Sequence, residues 1–339
     1  MTDDLQKHLH AFFHAYLHRQ KGLSLNTIRS YRDTFKLLVA FLGARRRANF
    51  LSLKNIDVKT ILAFLEHLED SESGRGSSPR TRNQRLAAIQ SFFKYIAMYA
   101  PRLGVHAERI LAIPAKRVSK RESDSLSYRE LEALFTQPRT DTSDGIRDLA
   151  ILVFLYNTGA RASEAANARI SWFDFPNRTV EIIGKGNKER INPLWPTTVK
   201  LLELYRVHHR RKPKPSAADR FFINQRGLVF TRFGMRSIVK KYLRLAAVNC
   251  PSIAGRRLST HTMRHTLVCH LLESKVDVNA IKTIVGHSSI KSLDDYSHTT
   301  LDHMRRIYDQ FGPPPCVSAV LQPKPEDSPE KVLAWLNDL

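Results

Sequence analysis

Asp148-Leu149-Ala150-Ile151-Leu152-Val153-Phe154-Leu155-Tyr156-Asn157-Thr158-Gly159-Ala160-Arg161-Ala162-Ser163-Glu164 is the stretch from which the rest of the chain is best read. From Leu149 to Tyr156 every side chain is apolar. A helix that is apolar all round belongs inside a protein core. The run falls far short of the ~18 consecutive apolar residues a membrane-spanning helix needs. The helix, Asp148 to Asn157, ends at Gly159. Arg161 therefore emerges just past the end of a buried helix, with Glu164 three residues on.

Downstream, two short strands, Thr179–Ile183 and Arg190–Pro193, flank Gly184-Lys185-Gly186-Asn187-Lys188-Glu189, a glycine-bearing hairpin. The remainder to about Phe311 reads as mostly helical. Beyond Gly312-Pro313-Pro314-Pro315 lies a tail with a short amphipathic helix, which Ser328 caps and Val332, Leu333, Trp335 and Leu336 make apolar on one face. Upstream, Ser127 and Glu130 form a capping box that starts a helix. Ala112 to Asp124, with Lys116, Arg117, Lys120 and Arg121, reads as an exposed basic linker. Before it come four amphipathic helices. Leu9, Phe12, Phe13, Tyr16 and Leu17 mark the first, which ends at Gly22. The second starts near Ser24 or Asn26, and Ile61, Leu62, Phe64, Leu65 and Leu68 mark the third. The fourth runs from about Arg80 to Tyr99 and exposes Arg82, Arg85 and Lys94. The expected organisation is a helical bundle at 1–111, a linker at 112–124, a larger domain at 125–312 and a tail at 313–339. The fold class is mainly α with a small antiparallel β-sheet.

The chain has 339 residues, 25% of them charged and 42% hydrophobic, which are ordinary globular proportions. Its 54 Lys and Arg against 32 Asp and Glu give a net charge of +22. So large an excess repels itself in the folded state and calls for a polyanionic partner. No long apolar run supports a membrane partner, and Met1-Thr2-Asp3-Asp4 lacks the apolar core of a secretion signal. Cys250, Cys269 and Cys316 have no CxxC spacing and build no disulfide framework, so a reducing cytoplasm is expected. Nucleic acid is the partner these facts favour. His10, His14 and His18 recur every four residues on the first helix, but no carboxylate or cysteine joins them, and they read as a polar face. No metal and no other cofactor is expected.

Five segments of the larger domain collect residues suited to phosphate chemistry. They hold Arg161, then Lys185 in the hairpin, then His261 and Arg264 at a spacing that shares one helix face, then His287 after Gly286, and finally Tyr296. Each alone is commonplace: an arginine after a helix is usually a surface ion pair. Their order and combination are not. Two arginines, a lysine, two histidines and a tyrosine can hold a phosphodiester and attack it, and no carboxylate cluster of the Mg²⁺-binding kind accompanies them.

The sequence here resembles the tyrosine recombinases, the phage-integrase and Xer-like family. The stretches that carry the resemblance are Tyr156-Asn157-Thr158-Gly159-Ala160-Arg161-Ala162-Ser163-Glu164, Ile183-Gly184-Lys185-Gly186-Asn187-Lys188-Glu189-Arg190, His261-Thr262-Met263-Arg264-His265, and Val285-Gly286-His287-Ser288 followed by Tyr296-Ser297-His298. In the helical arm, Ser24-Leu25-Asn26-Thr27-Ile28-Arg29-Ser30-Tyr31 looks like the family's core-binding domain. The resemblance implies a SAM-like helical core-binding domain followed by a tyrosine-recombinase catalytic domain. It implies that Tyr296 attacks the scissile phosphate to form a 3′-phosphotyrosyl bond, while Arg161 and Arg264 clamp the non-bridging oxygens. His287 donates to the same oxygens, Lys185 protonates the leaving 5′-oxygen and His261 takes the tyrosine proton. Lys188 is a competing acid on the same hairpin. Asp294 and Asp295, beside Tyr296, stand where relatives often carry paired threonines, and two acids there would either raise the tyrosine's pKa or hold its loop through basic partners.

The resemblance further implies duplex DNA recombination sites as substrate, a Holliday junction, and a homo-tetramer on DNA, with accessory or sister recombinases as candidate partners. The tail helix either joins a neighbouring protomer or docks on its own domain. Arg45, Arg46, Arg82, Arg85, Lys116, Arg117, Arg232, Arg236 and Lys240 are the expected phosphate contacts. The charge is +9 over 1–111, +2 over 112–124, +13 over 125–312 and −2 over 313–339, so all but the tail suits DNA. The expected function is a cytoplasmic, nucleoid-associated site-specific recombinase of a mobile element, of the integrase or transposase type. A type IB topoisomerase-like relaxing enzyme and a non-catalytic DNA-binding recombination factor are the alternatives.

Overall fold

Ten aromatic and aliphatic positions spaced for helices pull the N-terminal segment into a bundle. The computed structural model describes residues 5–45, 52–72, 74–118, 124–184, 188–286 and 301–313. It divides into two units, Met1–Arg121 and Glu122–Leu339. In the first, α1 (Leu5–Ala11) widens into π turns over Phe12–Gln20 and stops at Gly22. It is followed by α2 (Leu25–Arg45), α3 (Val58–Glu69), α4 (Pro79–Tyr99) and α5 (Gly104–Leu111). Phe12, Leu17, Phe35, Phe64, Ile89, Phe92 and Ile96 bury together as the core of this unit. Asp57 caps α3 and Ser78 caps α4, each accepting a backbone N–H of the first turn. The fifth helix adds to the four expected, its apolar Ala107 and Ile110 closing one end of the core.

Two expectations for this unit need correction. Arg82 does not lie on an exposed stripe: it is 4% exposed, with Nη1 donating to the Pro114 carbonyl at 3.3 Å and to Asn83 Oδ1 at 3.2 Å. The segment after α5 is also not a free linker along its whole length. Asn83 exchanges hydrogen bonds with the Lys116 backbone, and Gln90 donates to the carbonyls of Leu111 and Ile113. The helical period places Arg82 outward, but the chain returning along α4 covers it.

The second unit opens with α6 (Tyr128–Phe135), started by the expected Ser127–Glu130 capping box. The buried helix is α7 (Ser143–Thr158), which begins earlier than its apolar run because Thr142 caps it and Arg147 pairs with Asp148 at 2.6 Å inside the protein. Then come α8 (Ala162–Asn167) and a three-stranded antiparallel sheet of β1 (Phe173–Asp174), β2 (Thr179–Ile183) and β3 (Glu189–Pro193). The β2–β3 pairing runs from Thr179 opposite Pro193 to Ile183 opposite Glu189, as a hairpin requires. The chain continues through α9 (Pro196–Leu204), α10 (Arg232–Asn249), α11 (Thr260–Glu273), α12 (Val278–Val285) and α13 (Leu301–Phe311). α7 is the axis of the core, buried from Gly145 to Thr158. α13 is fastened to it and to the turn after β3: Tyr308 Oη donates to the Asn157 carbonyl, and Trp195 Nε1 donates to the Tyr308 carbonyl at 3.2 Å. No helix among the described residues is long and apolar enough to cross a membrane.

Candidate active site

Gly159 ends α7 in the left-handed conformation, φ +59°. A β-carbon there would lie 3.1 Å from Val285 Cγ1 and 3.3 Å from Leu267 Cδ2, so the position demands glycine for space as well as for torsion. The turn sets Arg161 at the N-terminus of α8, half-exposed. Glu164, three residues on, is buried and accepts twice from Arg161: from the backbone N–H at 2.9 Å and from Nη1 at 2.6 Å. Its second oxygen also accepts from Arg190 Nη2 at 2.8 Å. Burial pushes this carboxyl up, but hydrogen bonds and charge from Arg190, followed by those from Arg161, outweigh it and hold Glu164 below its ordinary value.

Arg264 comes from α11, whose start is fixed by a Ser259–Thr262 capping box. It is 2% exposed and donates from Nη1 to the Gly159 carbonyl at 2.9 Å, while its Nε and Nη2 are buried with no protein partner among the described residues. Burial, then the charges of Arg161 and Arg190, push its pKa down to about 10, which leaves it cationic at neutral pH. His261, one turn earlier, is exposed at the surface. Desolvation by its neighbours, then the charges of Arg264, Arg161, His265 and Arg236, lower its pKa. A neutral imidazole can take a proton. The site thus gathers three guanidinium groups around a single carboxylate among the described residues. An uncompensated buried cation is costly, and a phosphodiester would offset that cost through bidentate, charge-assisted hydrogen bonds.

Two loop roots meet the same group. Gly184 begins the hairpin turn, closed by its N–H donating to the Lys188 carbonyl at 2.8 Å; a β-carbon on it would lie 3.3 Å from Glu164 Oε1. Gly286 ends α12 in the left-handed conformation, with Arg190 Cδ 3.1 Å from where its β-carbon would be. The structure thus brings Arg161, His261 and Arg264 together. Lys185, His287 and Tyr296 lie outside the described residues, as do Asp294, Asp295 and the tail helix. Lys188 is exposed. Arg190, and the bridging part Glu164 plays, were missed in the sequence. The spacing of Glu164 from Arg161 matches a capping box, which was the available signal; nothing local marked Arg190.

Of the expected DNA contacts, Arg232, Arg236 and Lys240 lie exposed along α10, and Arg117 is exposed beyond α5. Lys116 is exposed but paired with Glu69 at 2.6 Å. Arg85 is half-buried and donates to the Ser30 carbonyl and Thr34 Oγ1. Arg82 is withdrawn from solvent, as described above. Arg45 closes α2, and its side chain, like all of Arg46, lies outside the described residues.

The model of the phage integrase family matches residues 124–303, more than half of the chain. The chain belongs to this family, the tyrosine recombinases. The family's N-terminal SAM-like domain matches residues 11–98, the helical first unit. A Sinorhizobium fredii protein described as an integrase/recombinase, y4rC, is 33% identical over 98% of this chain and 97% of its own length. The tyrosine recombinase XerD of Halalkalibacterium halodurans is 32% identical over 88% of this chain and 96% of its own. Among solved structures, the Tn1549 transposon integrase in complex with transposon right end DNA has a TM-score of 0.67 at 17% identity, covering 91% of this chain and 99% of that one. The XerH recombinase bound to palindromic difH substrate has a TM-score of 0.61 at 21% identity, covering 84% and 80%. This recombinase therefore shares the mainly helical fold with a small antiparallel sheet, and it is a DNA breaking and rejoining enzyme.

Proposed function

We propose that the catalytic machinery of this site-specific recombinase is Arg161, Lys185, His261, Arg264, His287 and Tyr296, working on duplex DNA recombination sites. Tyr296 Oη attacks the scissile phosphorus as His261 accepts its proton. The P–O5′ bond breaks, and the 5′-oxygen takes a proton from Lys185. Arg161, Arg264 and His287 hold the non-bridging oxygens while negative charge builds in the phosphorane, the largest expected stabilisation. The 3′-phosphotyrosyl bond conserves the energy for rejoining, so a partner strand's 5′-hydroxyl can reverse the step and form a Holliday junction.

The observation that carries this reading is Arg264: buried, cationic, held at one end by Gly159, with Nε and Nη2 free of protein partners among the described residues. The site-specific reading is further supported by relatives above 30% identity along nearly the whole chain, described as integrase/recombinase or tyrosine recombinase. These favour strand exchange over the relaxing-enzyme and non-catalytic alternatives. The finer reading is a mobile-element integrase, cytoplasmic and nucleoid-associated, that binds DNA through residues of both units and works as a tetramer with or without sister recombinases.

A nicked suicide duplex carrying the cognate site, isolated by sequencing DNA captured on the protein, tests the chemistry. The wild-type chain is expected to form a covalent adduct with it in EDTA. Tyr296→Phe is expected to form none while binding the duplex within about threefold of wild type. An adduct with Tyr296→Phe would dismiss Tyr296 as nucleophile.

A further inference from the structure

Strand β3 reverses the usual inside–outside order. Opposite the buried Ile182 it turns Arg190 inward, with a side chain only 8% exposed, while the adjacent Ile191 is 50% exposed. An ordinary pleat would bury the isoleucine and solvate the arginine. The inward guanidinium meets several segments that are far apart in sequence. Nη2 donates to Glu164 Oε2 at 2.8 Å, next to Arg161. A β-carbon built on Gly286 would lie 3.1 Å from Arg190 Cδ and 3.3 Å from Nη1, and one built on Gly184 would lie 3.6 Å from Nη1. Its charge also lowers the pKa of Arg264. The two glycines are the residues after which the chain continues into Lys185 and His287.

We propose that Arg190 is a positioning residue that joins these segments into one phosphate-binding unit. It holds the Arg161–Glu164 pair, the root of the hairpin and the end of α12 against one another, and it adds a buried positive charge beneath Arg264. The assignment rests on the recombinase reading above. An arginine suits the place because its flat fork can donate to a carboxylate while its face packs against two glycines. A methionine would fill the space without the charge or the donors. A lysine would keep the charge but bring all its donors to one nitrogen, losing the fork.

The test uses full-length Arg190→Met, Arg190→Lys, Glu164→Gln and the double variant R190M/E164Q. Amide hydrogen exchange is read in peptides ending at Gly184 and Gly286, with α6 and α10 as internal controls. For Arg190→Met the proposal expects faster exchange in both glycine peptides and unchanged exchange in the controls. It also expects adduct formation on the nicked duplex to slow about 10- to 100-fold, as for a misplaced catalytic group, with duplex Kd within threefold. Arg190→Lys should recover part of that rate, and the double variant should be no slower than the slower single. Unchanged exchange at both glycines, exchange raised uniformly through the second unit, or rate losses that multiply in the double variant would each overturn it. Should Arg190→Met unfold the unit, Arg190→Lys decides by the same local-against-uniform criterion. If the wild type forms no adduct, the recombinase reading fails, while the exchange pattern still decides the placement of Arg190.

Discussion

Arg264 on α11 donates to the carbonyl of Gly159, the residue that ends α7, across 2.9 Å. The helix that forms the centre of the core therefore also holds the group proposed to bind phosphate. One terminal nitrogen of the guanidinium is spent on the scaffold, while Nε and Nη2 have no partner among the described residues, and on the proposed reading they meet the substrate. Lysine cannot divide its donors in this way, because its ammonium reaches a single point. Arg264→Lys is expected to slow adduct formation by about 100-fold or more, the usual effect of losing a preorganised donor, with little change in duplex Kd. Single-turnover cleavage of the nicked duplex beside a binding titration measures both.

The same contact depends on the turn at Gly159. Alanine there would have to hold φ +59° and push against Val285 and Leu267. Gly159→Ala is expected to destabilise the second unit by about 1–3 kcal/mol, combining left-handed strain with a tight packing contact. Urea unfolding followed by fluorescence of Trp195, buried in that unit, gives the value.

Glu164 makes stability depend on acid in a predictable sense. Its folded pKa lies below the ordinary value of 4.5, because Arg190 and Arg161 outweigh burial. A carboxylate with a lowered pKa contributes stability that is complete above its unfolded value and disappears as pH falls through the folded one. Wild type should therefore lose stability progressively below about pH 5, and Glu164→Gln should lose less over the same interval. At pH 7 the variant is the less stable, since the buried Arg190 and the half-exposed Arg161 have lost their shared anion. Melting temperatures taken from pH 7 to pH 3 test both halves of the statement.

His261 gives a second pH signature, in rate. Arg236, exposed on α10, is among the cations that keep its pKa low. If His261 accepts the tyrosine proton, adduct formation should fall as pH drops through that pKa. Arg236→Gln removes one repelling charge, so His261 should hold its proton to higher pH. The acid limb of the single-turnover pH–rate profile, measured at saturating duplex, is expected to move upward in the variant. An unmoved limb would dissociate His261 from the rate-limiting proton.

Much of this was legible in the chain because it is written locally. The Ser127–Glu130 capping box, the apolar run of α7, the glycine at its end and the hairpin between β2 and β3 are each decided by a few adjacent residues. The parts that were hidden are decided at a distance. The start of α7 is masked by Arg147 and Asp148, polar in sequence but neutralised by each other inside the protein. α5 and β1 are too short to show a period. Arg190 looks like one more surface cation in a basic hairpin until Glu164 and Gly286 are brought beside it. Arg161, His261 and Arg264 stand out in the sequence because the combination of residue types is rare, not because any one position announces itself.

Arg82 shows the opposite error, and its consequences separate packing from binding. The helical period put it on a solvent face, but the chain returning after α5 covers it and takes its hydrogen bond at Pro114. A cation so placed neutralises no phosphate and so displaces no counterion from the DNA. Arg236 and Lys240, exposed on α10, do face solvent. Since log K falls with log salt in proportion to the phosphates neutralised, a true contact is recognised by its slope. Arg236→Gln and Lys240→Gln are each expected to reduce the salt slope of duplex binding by about one. Arg82→Met is expected to leave the slope unchanged and to lower the melting temperature of the protein, because it strips the Pro114 carbonyl of its side-chain donor and Asn83 Oδ1 of one of its two donors. Binding titrations from low to moderate salt on all three variants distinguish the cases, and a reduced slope for Arg82→Met would return Arg82 to the DNA-contacting surface.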